Sequence, residues 1–144
     1  MIPLHDEKGP RLAQTPGPDT LDENAFHRPL VGRDLRYRGL CRLASAIAAS
    51  HFGIEIEAIG RPYRSDAATC DARHVAIYLA HVIFQVPLGR TGEAFGRDRS
   101  SIAYAIRKIE DRRDDALFDA TLGRLEALAR SVGDVVAMPL GAGR

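Results

Sequence analysis

The residues between Asp98 and Lys108 place hydrogen-bonding side chains on one side of a helical pattern. At about 100° per residue, Ser100, Tyr104 and Arg107 fall opposite Ile102, and Lys108 flanks them. Hydroxyl, phenol and guanidinium groups on one exposed face are able to hydrogen-bond base edges and phosphates. The same pattern is also compatible with the solvated face of a generic helical bundle.

Positive charge is concentrated around this face. The chain has 144 residues with 20 basic and 19 acidic side chains, and its net charge of +1 indicates no partner by itself. From Arg90 to Arg113, however, seven basic and four acidic residues give a local net charge of +3. Such a cluster is where a nucleic-acid duplex would lie.

The apolar spacing predicts helices before this segment. A first helix begins at Asp34 as its N-cap and ends near Phe52, where Gly53 stops it. Residues 54–59 alternate, and we interpret them as one helical turn because a lone strand would have no partner. Residues 60–70 read as a loop. A second long helix then has an apolar face made of Val75, Tyr78, Leu79, Val82, Ile83 and Val86.

Two shorter predicted helices contain the charged segment. Pro87 interrupts the second long helix, and a short helix covers about residues 88–95. Gly96 separates it from a helix that Asp98 caps and that reaches about Arg113, with an inward stripe of Ile102, Ile106 and Ile109. A last helix carries Phe118, Leu122, Leu125 and Ala129. The prediction is an all-α bundle of about six helices, containing a helix-turn-helix and no β-sheet.

The predicted domain lies between two tails. Residues 1–33 hold five of the eight prolines and read as a disordered tail, residues 34–132 form the folded domain, and residues 133–144 read as a flexible tail. Two cysteines are too few for a disulfide scaffold and fit a reducing cytosol, and no apolar run is long enough to span a membrane. We expect a cytoplasmic, nucleoid-associated protein.

Three stretches of the sequence together resemble one family. They are ARHVAIYL at 72–79, the segment from Leu88 through GEAFGRDRSSI at 92–102, and RKIE at 107–110. These resemble the C-terminal DNA-binding domain of DnaA, the bacterial chromosomal replication initiator, over roughly residues 38–130. The resemblance implies a Trp-repressor-like helix-turn-helix bundle that reads the DnaA box in the major groove and supplies a minor-groove arginine from a basic loop.

The resemblance and the charge pattern together select the candidate site. Departures from the family are Arg99 in place of histidine, Ser100 and Ser101 in place of threonines, and a single Gly96 in place of a glycine pair, so we expect a shifted target sequence. Asp71 stands closest to the family's loop arginine. The candidate DNA-binding residues are Arg61, Arg64, Arg73, Arg97, Asp98, Arg99, Ser100, Ser101, Tyr104, Arg107 and Lys108.

The family's ATPase module has no counterpart in these residues. A phosphate loop requires a Gly-Lys pair, which does not occur in the sequence, and the 33 residues before the predicted domain leave no room for the module. We therefore expect a stand-alone protein that binds double-stranded DNA at DnaA-box-like sites as a monomer. It would regulate replication initiation or transcription by occupancy, without ATP or any other cofactor.

Other readings of the sequence stay open at this stage. The chain would alternatively be an interaction module that binds replication proteins and has lost specific DNA contact. Cys70, His74 and His81 lie near one side of a helix, but three ligands on one helix rarely enclose a metal, and we expect none. No Gly-x-Ser-x-Gly turn surrounds Ser100 and Ser101, so we expect no catalysis.

Overall fold

A computed structural model describes residues 32–62 and 65–137. These residues form six α-helices: α1 (Gly32–Phe52), α2 (Ile56–Ile59), α3 (Ala67–Tyr78), α4 (Leu88–Phe95), α5 (Arg99–Arg112) and α6 (Ala116–Ala137). A π-helical segment, Leu79–Ile83, continues α3. No strand occurs in the described residues, which confirms the predicted all-α fold and the single helical turn after Gly53.

The helices enclose one apolar core. The central helix α3 packs against α1 on one side and α5 on the other, and α4 packs against both α1 and α5. The largest fully buried side chains include Ile77, Leu79, Ile102, Ile109 and Leu122. The predicted inward stripe of α5 is confirmed, with Ile106 half-buried beside the fully buried Ala105. The core therefore fixes the rotation of α5 about its axis and turns its polar side outward.

The start of α1 differs from the prediction. The helix begins at Gly32, so Asp34 lies in its first turn and is not the N-cap. Its carboxylate pairs with Arg90 of α4 at 3.1 Å. Its negative charge also stabilises α1, because it lies near the positive end of the helix dipole. The predicted tail therefore extends no further than residue 31, and residues 1–31 lie outside the described residues.

The segment between α2 and α3 is shorter than predicted. Residues 67–70 are helical, because Asp66 caps α3 by accepting a hydrogen bond from the backbone N–H of Thr69 at 2.9 Å. Hydrogen bonding from Thr69, first from its side chain and then from its backbone N–H, lowers the pKa of the Asp66 carboxyl below its usual range. We call Gly60–Pro62, Ser65 and Asp66 the α2–α3 connection.

The second long helix is also not regular to its end. At the π-helical segment the N–H of Phe84 bonds to the carbonyl of Leu79 at 3.0 Å, which inserts an extra residue into the turn. The apolar stripe loses its register there, and Val82 is 38% exposed instead of facing the core. Val86, just beyond the helix, is fully buried.

The last helix is longer than expected. Residues 133–137 belong to α6 and not to a tail. Gly133 allows α6 to approach Phe84, since a Cβ at this position would lie 3.0 Å from a ring carbon. Tertiary contact thus extends the helix through residues whose glycine and valine content is unfavourable for an isolated helix.

Candidate nucleic-acid interface

The turn between α4 and α5 is tight and depends on two glycines. Gly96 ends α4 in the left-handed conformation, with φ of 63°. A Cβ on Gly92 would lie only 2.7 Å from the carbonyl oxygen of Arg97, so the turn folds directly onto α4. The N–H of Arg97 donates to the carbonyl of Gly92 at 2.9 Å. This geometry holds α5 at a fixed angle to α4, as a helix-turn-helix requires.

Asp98 is the N-cap of α5, as predicted. One carboxylate oxygen accepts hydrogen bonds from the N–H of Ser101 at 2.7 Å and from the hydroxyl of Ser100 at 2.9 Å. The bond from the Ser101 N–H is the main cause of the lowered pKa of Asp98. Both Asp98 and Ser100 therefore hold the first turn of α5 together, and the exposed side chain between them is Arg99.

Arg99 reaches back toward α4. A Cβ on Gly89 would lie 3.2 Å from the Nη2 of Arg99, so the absence of a side chain at Gly89 leaves room for the guanidinium. No carboxylate in residues 32–62 and 65–137 forms an ion pair with it. Arg99 thus presents an uncompensated charge at the end of the helix that enters the major groove in helix-turn-helix proteins.

The middle of α5 presents an aromatic and basic surface. The Tyr104 side chain is 55% exposed, and the ammonium of Lys108 donates to its hydroxyl at 3.2 Å while lying 5.5 Å from the ring centre. His74 of α3 meets the same ring edge-on at 6.1 Å. Burial first, and then the charge of Lys108, lowers the pKa of His74, which favours its neutral form. Arg107 is exposed on the same side.

Three arginines meet at the α2–α3 connection. Arg73 is only 7% exposed, and its guanidinium donates to the carbonyls of Ile59 and Arg61 and to the Ser65 hydroxyl. The Nη2 of Arg97 donates to the same Arg61 carbonyl at 3.2 Å. Burial, followed by the charge of Arg97, lowers the pKa of Arg73.

These contacts correct one member of the predicted DNA-binding set. Arg73 is buried and its donors are committed to the protein, so it supports the interface instead of lying on it. Arg61 and Arg97 remain accessible, whereas Arg64 lies outside the described residues. Asp71 pairs with Arg112 at 3.2 Å, so its charge is neutralised within the protein.

Ion pairs divide the seven basic residues of the helix-turn-helix segment into two groups. Arg90 pairs with Asp34 and Glu93, Arg112 pairs with Asp71, and Arg113 pairs with Asp119 and Glu126. Of these seven, Arg97, Arg99, Arg107 and Lys108 form no ion pair with a carboxylate of the described residues. All four lie in the turn or on α5. Within this segment, the basic residues without an ion pair therefore lie together on one part of the helix-turn-helix.

Two of the three residues that were weighed as metal ligands bond to backbone carbonyls instead. Cys70 donates to the carbonyl of Ser65, and the Nδ1 of His81 lies 2.8 Å from the carbonyl oxygen of Val86. Among the described residues, no three His, Cys, Asp or Glu side chains are grouped to hold a metal ion.

Sequence reasoning missed the residues that position the interface. The two arginine contacts to the Arg61 carbonyl join residues 12 and 36 positions apart, and no local pattern indicates them. In the sequence, Gly89 and Gly92 are two glycines within a predicted short helix, and nothing there indicates the close contacts that each of them allows. The spacing of Tyr104 and Lys108, four residues apart on a helix, is the one signal that predicts a side-chain contact.

The comparisons with known proteins agree with this geometry. Residues 44–109 match the family model described as the bacterial DnaA protein helix-turn-helix. The chromosomal replication initiator protein DnaA of Mycobacteroides abscessus is 31% identical over 64 residues, which are 44% of this chain and 13% of that protein.

A solved structure described as a DNA replication initiation factor superposes with a TM-score of 0.63 at 25% identity. The superposition covers 69% of this chain and 30% of that one. The chain thus spans a small part of the length of the relatives it matches. Within residues 32–62 and 65–137, no helix is both long and apolar enough to cross a bilayer.

Proposed function

Because residues 44–109 match the family model described as the bacterial DnaA protein helix-turn-helix, we propose that this chain binds double-stranded DNA at specific, DnaA-box-like sites. The observation that carries the proposal is the cluster of unpaired cations formed by Arg97, Arg99, Arg107 and Lys108 on the turn and on α5. Guanidinium and ammonium groups that no carboxylate neutralises are free to neutralise phosphates, and each neutralised phosphate releases a counterion.

The residues divide into two roles on the duplex. Arg99, at the first turn of α5, is placed to contact base edges, and a guanidinium favours guanine through a bidentate pair of hydrogen bonds. Arg107 and Lys108 supply phosphate contacts that give affinity without sequence information. Tyr104 and Ser101 lie on the same exposed side and complete the surface. Binding at such sites would act on replication initiation or on transcription by occupancy.

A salt titration tests the phosphate contacts. A duplex is first selected from a random pool, and its affinity is then measured over a salt series for the wild type and three variants. Arg107→Ala and Lys108→Ala should each flatten the slope of log affinity against log salt by about 1 unit, and the double variant by about 2 units.

The control is Arg124→Ala, an exposed arginine on α6 whose side chain bonds to Thr121, and it should leave the slope unchanged. An unchanged slope in the double variant would remove these two residues from the interface. Wild-type protein that selects no duplex and shows no salt dependence would instead favour the interaction-module interpretation.

The same titration with and without ATP tests binding by occupancy alone. No phosphate loop occurs in the printed residues, so these 144 residues should bind the selected duplex equally in both conditions. ATP-dependent affinity would contradict this part of the proposal.

A further inference from the structure

Two arginines from different elements hold a single backbone carbonyl. The Nη2 of Arg73, from α3, and the Nη2 of Arg97, from the helix-turn-helix turn, each lie 3.2 Å from the carbonyl oxygen of Arg61. A carbonyl oxygen has two lone pairs, so two charged donors use its full capacity. No pattern in the sequence joins these three residues.

Both donors are themselves fixed. Arg73 is buried in α3, and its Nε donates to the Ile59 carbonyl at 2.7 Å while its Nη2 also bonds to the Ser65 hydroxyl at 3.0 Å. Arg97 is held at its backbone by the 2.9 Å hydrogen bond to Gly92. The α2–α3 connection is therefore anchored to the core by Arg73 and to the start of the recognition helix by Arg97.

The side chain of Arg61 takes no part in these contacts, which involve only its backbone carbonyl. It is 60% exposed, and its only ion pair in the described residues is with Glu55 at 4.0 Å, where the Glu55 side chain is 81% exposed. Such an exposed pair contributes little and exchanges readily for a phosphate or a groove contact. The backbone of Arg61 is thus held while its guanidinium stays available.

From this arrangement we propose that Arg97 and Arg73 are positioning residues that hold Arg61 in register with α5 as a second DNA-contacting element. The proposal rests on the proposed function, because it requires that α5 binds DNA. Its new content is the coupling: the contribution of Arg61 to affinity depends on the bond from Arg97 to the Arg61 carbonyl, and not on the Arg97 charge alone.

A double-mutant cycle on the full chain measures this coupling. Arg61→Ala should weaken binding to the selected duplex about tenfold by removing one groove or phosphate contact. Arg97→Gln removes the charged donor, and its loss of affinity should include the Arg61 contribution. The two changes together should then cost clearly less than the product of the single effects, because coupled residues are not additive.

A matched cycle supplies the control. Arg107 lies on α5, and among the described residues no hydrogen bond or ion pair joins it to the α2–α3 connection, so Arg61→Ala combined with Arg107→Ala should give the product of the single effects. Arg97 is partly exposed, so Arg97→Gln should keep the circular dichroism and the unfolding midpoint close to wild type.

A third variant tests the other donor. Arg73→Lys keeps a buried charge but cannot bond all three acceptors. Combined with Arg61→Ala, it should also cost less affinity than the product of the single effects, but by a smaller margin than Arg97→Gln.

The outcomes separate the possibilities. Multiplicative effects of Arg61→Ala and Arg97→Gln, with the salt slope flattened by about 1 unit for the latter, would make Arg97 a plain phosphate contact and overturn the proposal. An Arg61→Ala variant that binds like the wild type would also overturn it, while leaving DNA binding through α5 intact. Wild-type protein that binds no selected duplex would instead contradict the proposed function.

Discussion

At the start of α5, adjacent residues have different tasks. Asp98 accepts hydrogen bonds from the Ser101 N–H and the Ser100 hydroxyl, so it stabilises the helix end on which Arg99 is carried. Arg99 itself has no carboxylate partner in the part of the chain described here and lies over Gly89. The capping residue Asp98 and the proposed base-reading residue Arg99 are therefore separable by mutation.

Replacing Arg99 by alanine should weaken binding to the selected duplex more than binding to random duplex. Loss of a bidentate base contact costs about 1–3 kcal/mol and relaxes one position of the site. The measurement is the affinity of both proteins for both duplexes at one salt concentration. Equal losses on the two duplexes would make Arg99 a phosphate contact.

Acid should reveal the capping role of Asp98. Its pKa is lowered in the folded protein, so its stabilising contribution is present above the ordinary aspartate pKa near 3.9 and is lost as the pH falls through the lower folded value. Asp98→Asn caps the helix without a titrating group.

Thermal unfolding of the two proteins between pH 6 and pH 2.5 provides the measurement. The wild type should lose more stability across this range than Asp98→Asn, and parallel curves would show that the carboxylate charge contributes nothing. Asp66 caps α3 in the same way, and Asp66→Asn should give a similar difference.

At the other end of α5, a polar network joins three helices. Arg113 donates to the Tyr78 hydroxyl at 2.7 Å, to Asp119 at 2.8 Å and to Glu126, which also accepts from Arg130. The Glu126 side chain is 8% exposed and that of Arg113 is 34% exposed. This network ties α6 and α3 to the C-terminal end of the recognition helix.

The variant Glu126→Gln should lower the free energy of unfolding by about 1.5–3 kcal/mol, the range for hydrogen bonds to charged groups. The loss stays below that of a fully buried ion pair, because water reaches Arg113 and screens part of the interaction. Urea unfolding measures it. Glu110→Gln, at an exposed position on α5, is the control and should change stability by less than about 0.5 kcal/mol.

For the whole molecule, the helices α1 and α6 define the extent of the domain. Helix α1 begins at Gly32, where Asp34 is tied to Arg90 of α4, and α6 continues to Ala137 past the contact between Gly133 and Phe84. The last turns of α6 therefore belong to the packed structure.

A fragment of residues 32–137 should unfold cooperatively, with a midpoint close to that of the full chain. A fragment of residues 32–132 should unfold at a lower temperature, because it loses the packing of Gly133 against Phe84 and the turn that follows. Calorimetry of the two fragments compares them directly. Equal midpoints would show that residues 133–137 add no stability, and a non-cooperative transition of the longer fragment would contradict these boundaries.

Local sequence features were enough to predict the helix-turn-helix. The apolar stripe of α5, the Asp98 cap and the ends of α4 at Leu88 and Phe95 all follow from periodicity and from residues with strong positional preferences. The family resemblance likewise rests on fixed spacings within a continuous segment, which the match over residues 44–109 supports. Where short-range interactions dominate, the sequence is a sufficient guide.

The tertiary structure alone decided which charges remain available and how the interface is positioned. Whether an arginine is paired depends on residues distant in sequence, such as Asp34 for Arg90 and Glu126 for Arg113. The burial of Arg73, the outward turn of Val82 at the π-helical segment and the extension of α6 beyond Gly133 have the same origin. Each is set by contacts between separate helices, and packing energy there outweighs the local preferences on which sequence reasoning relies.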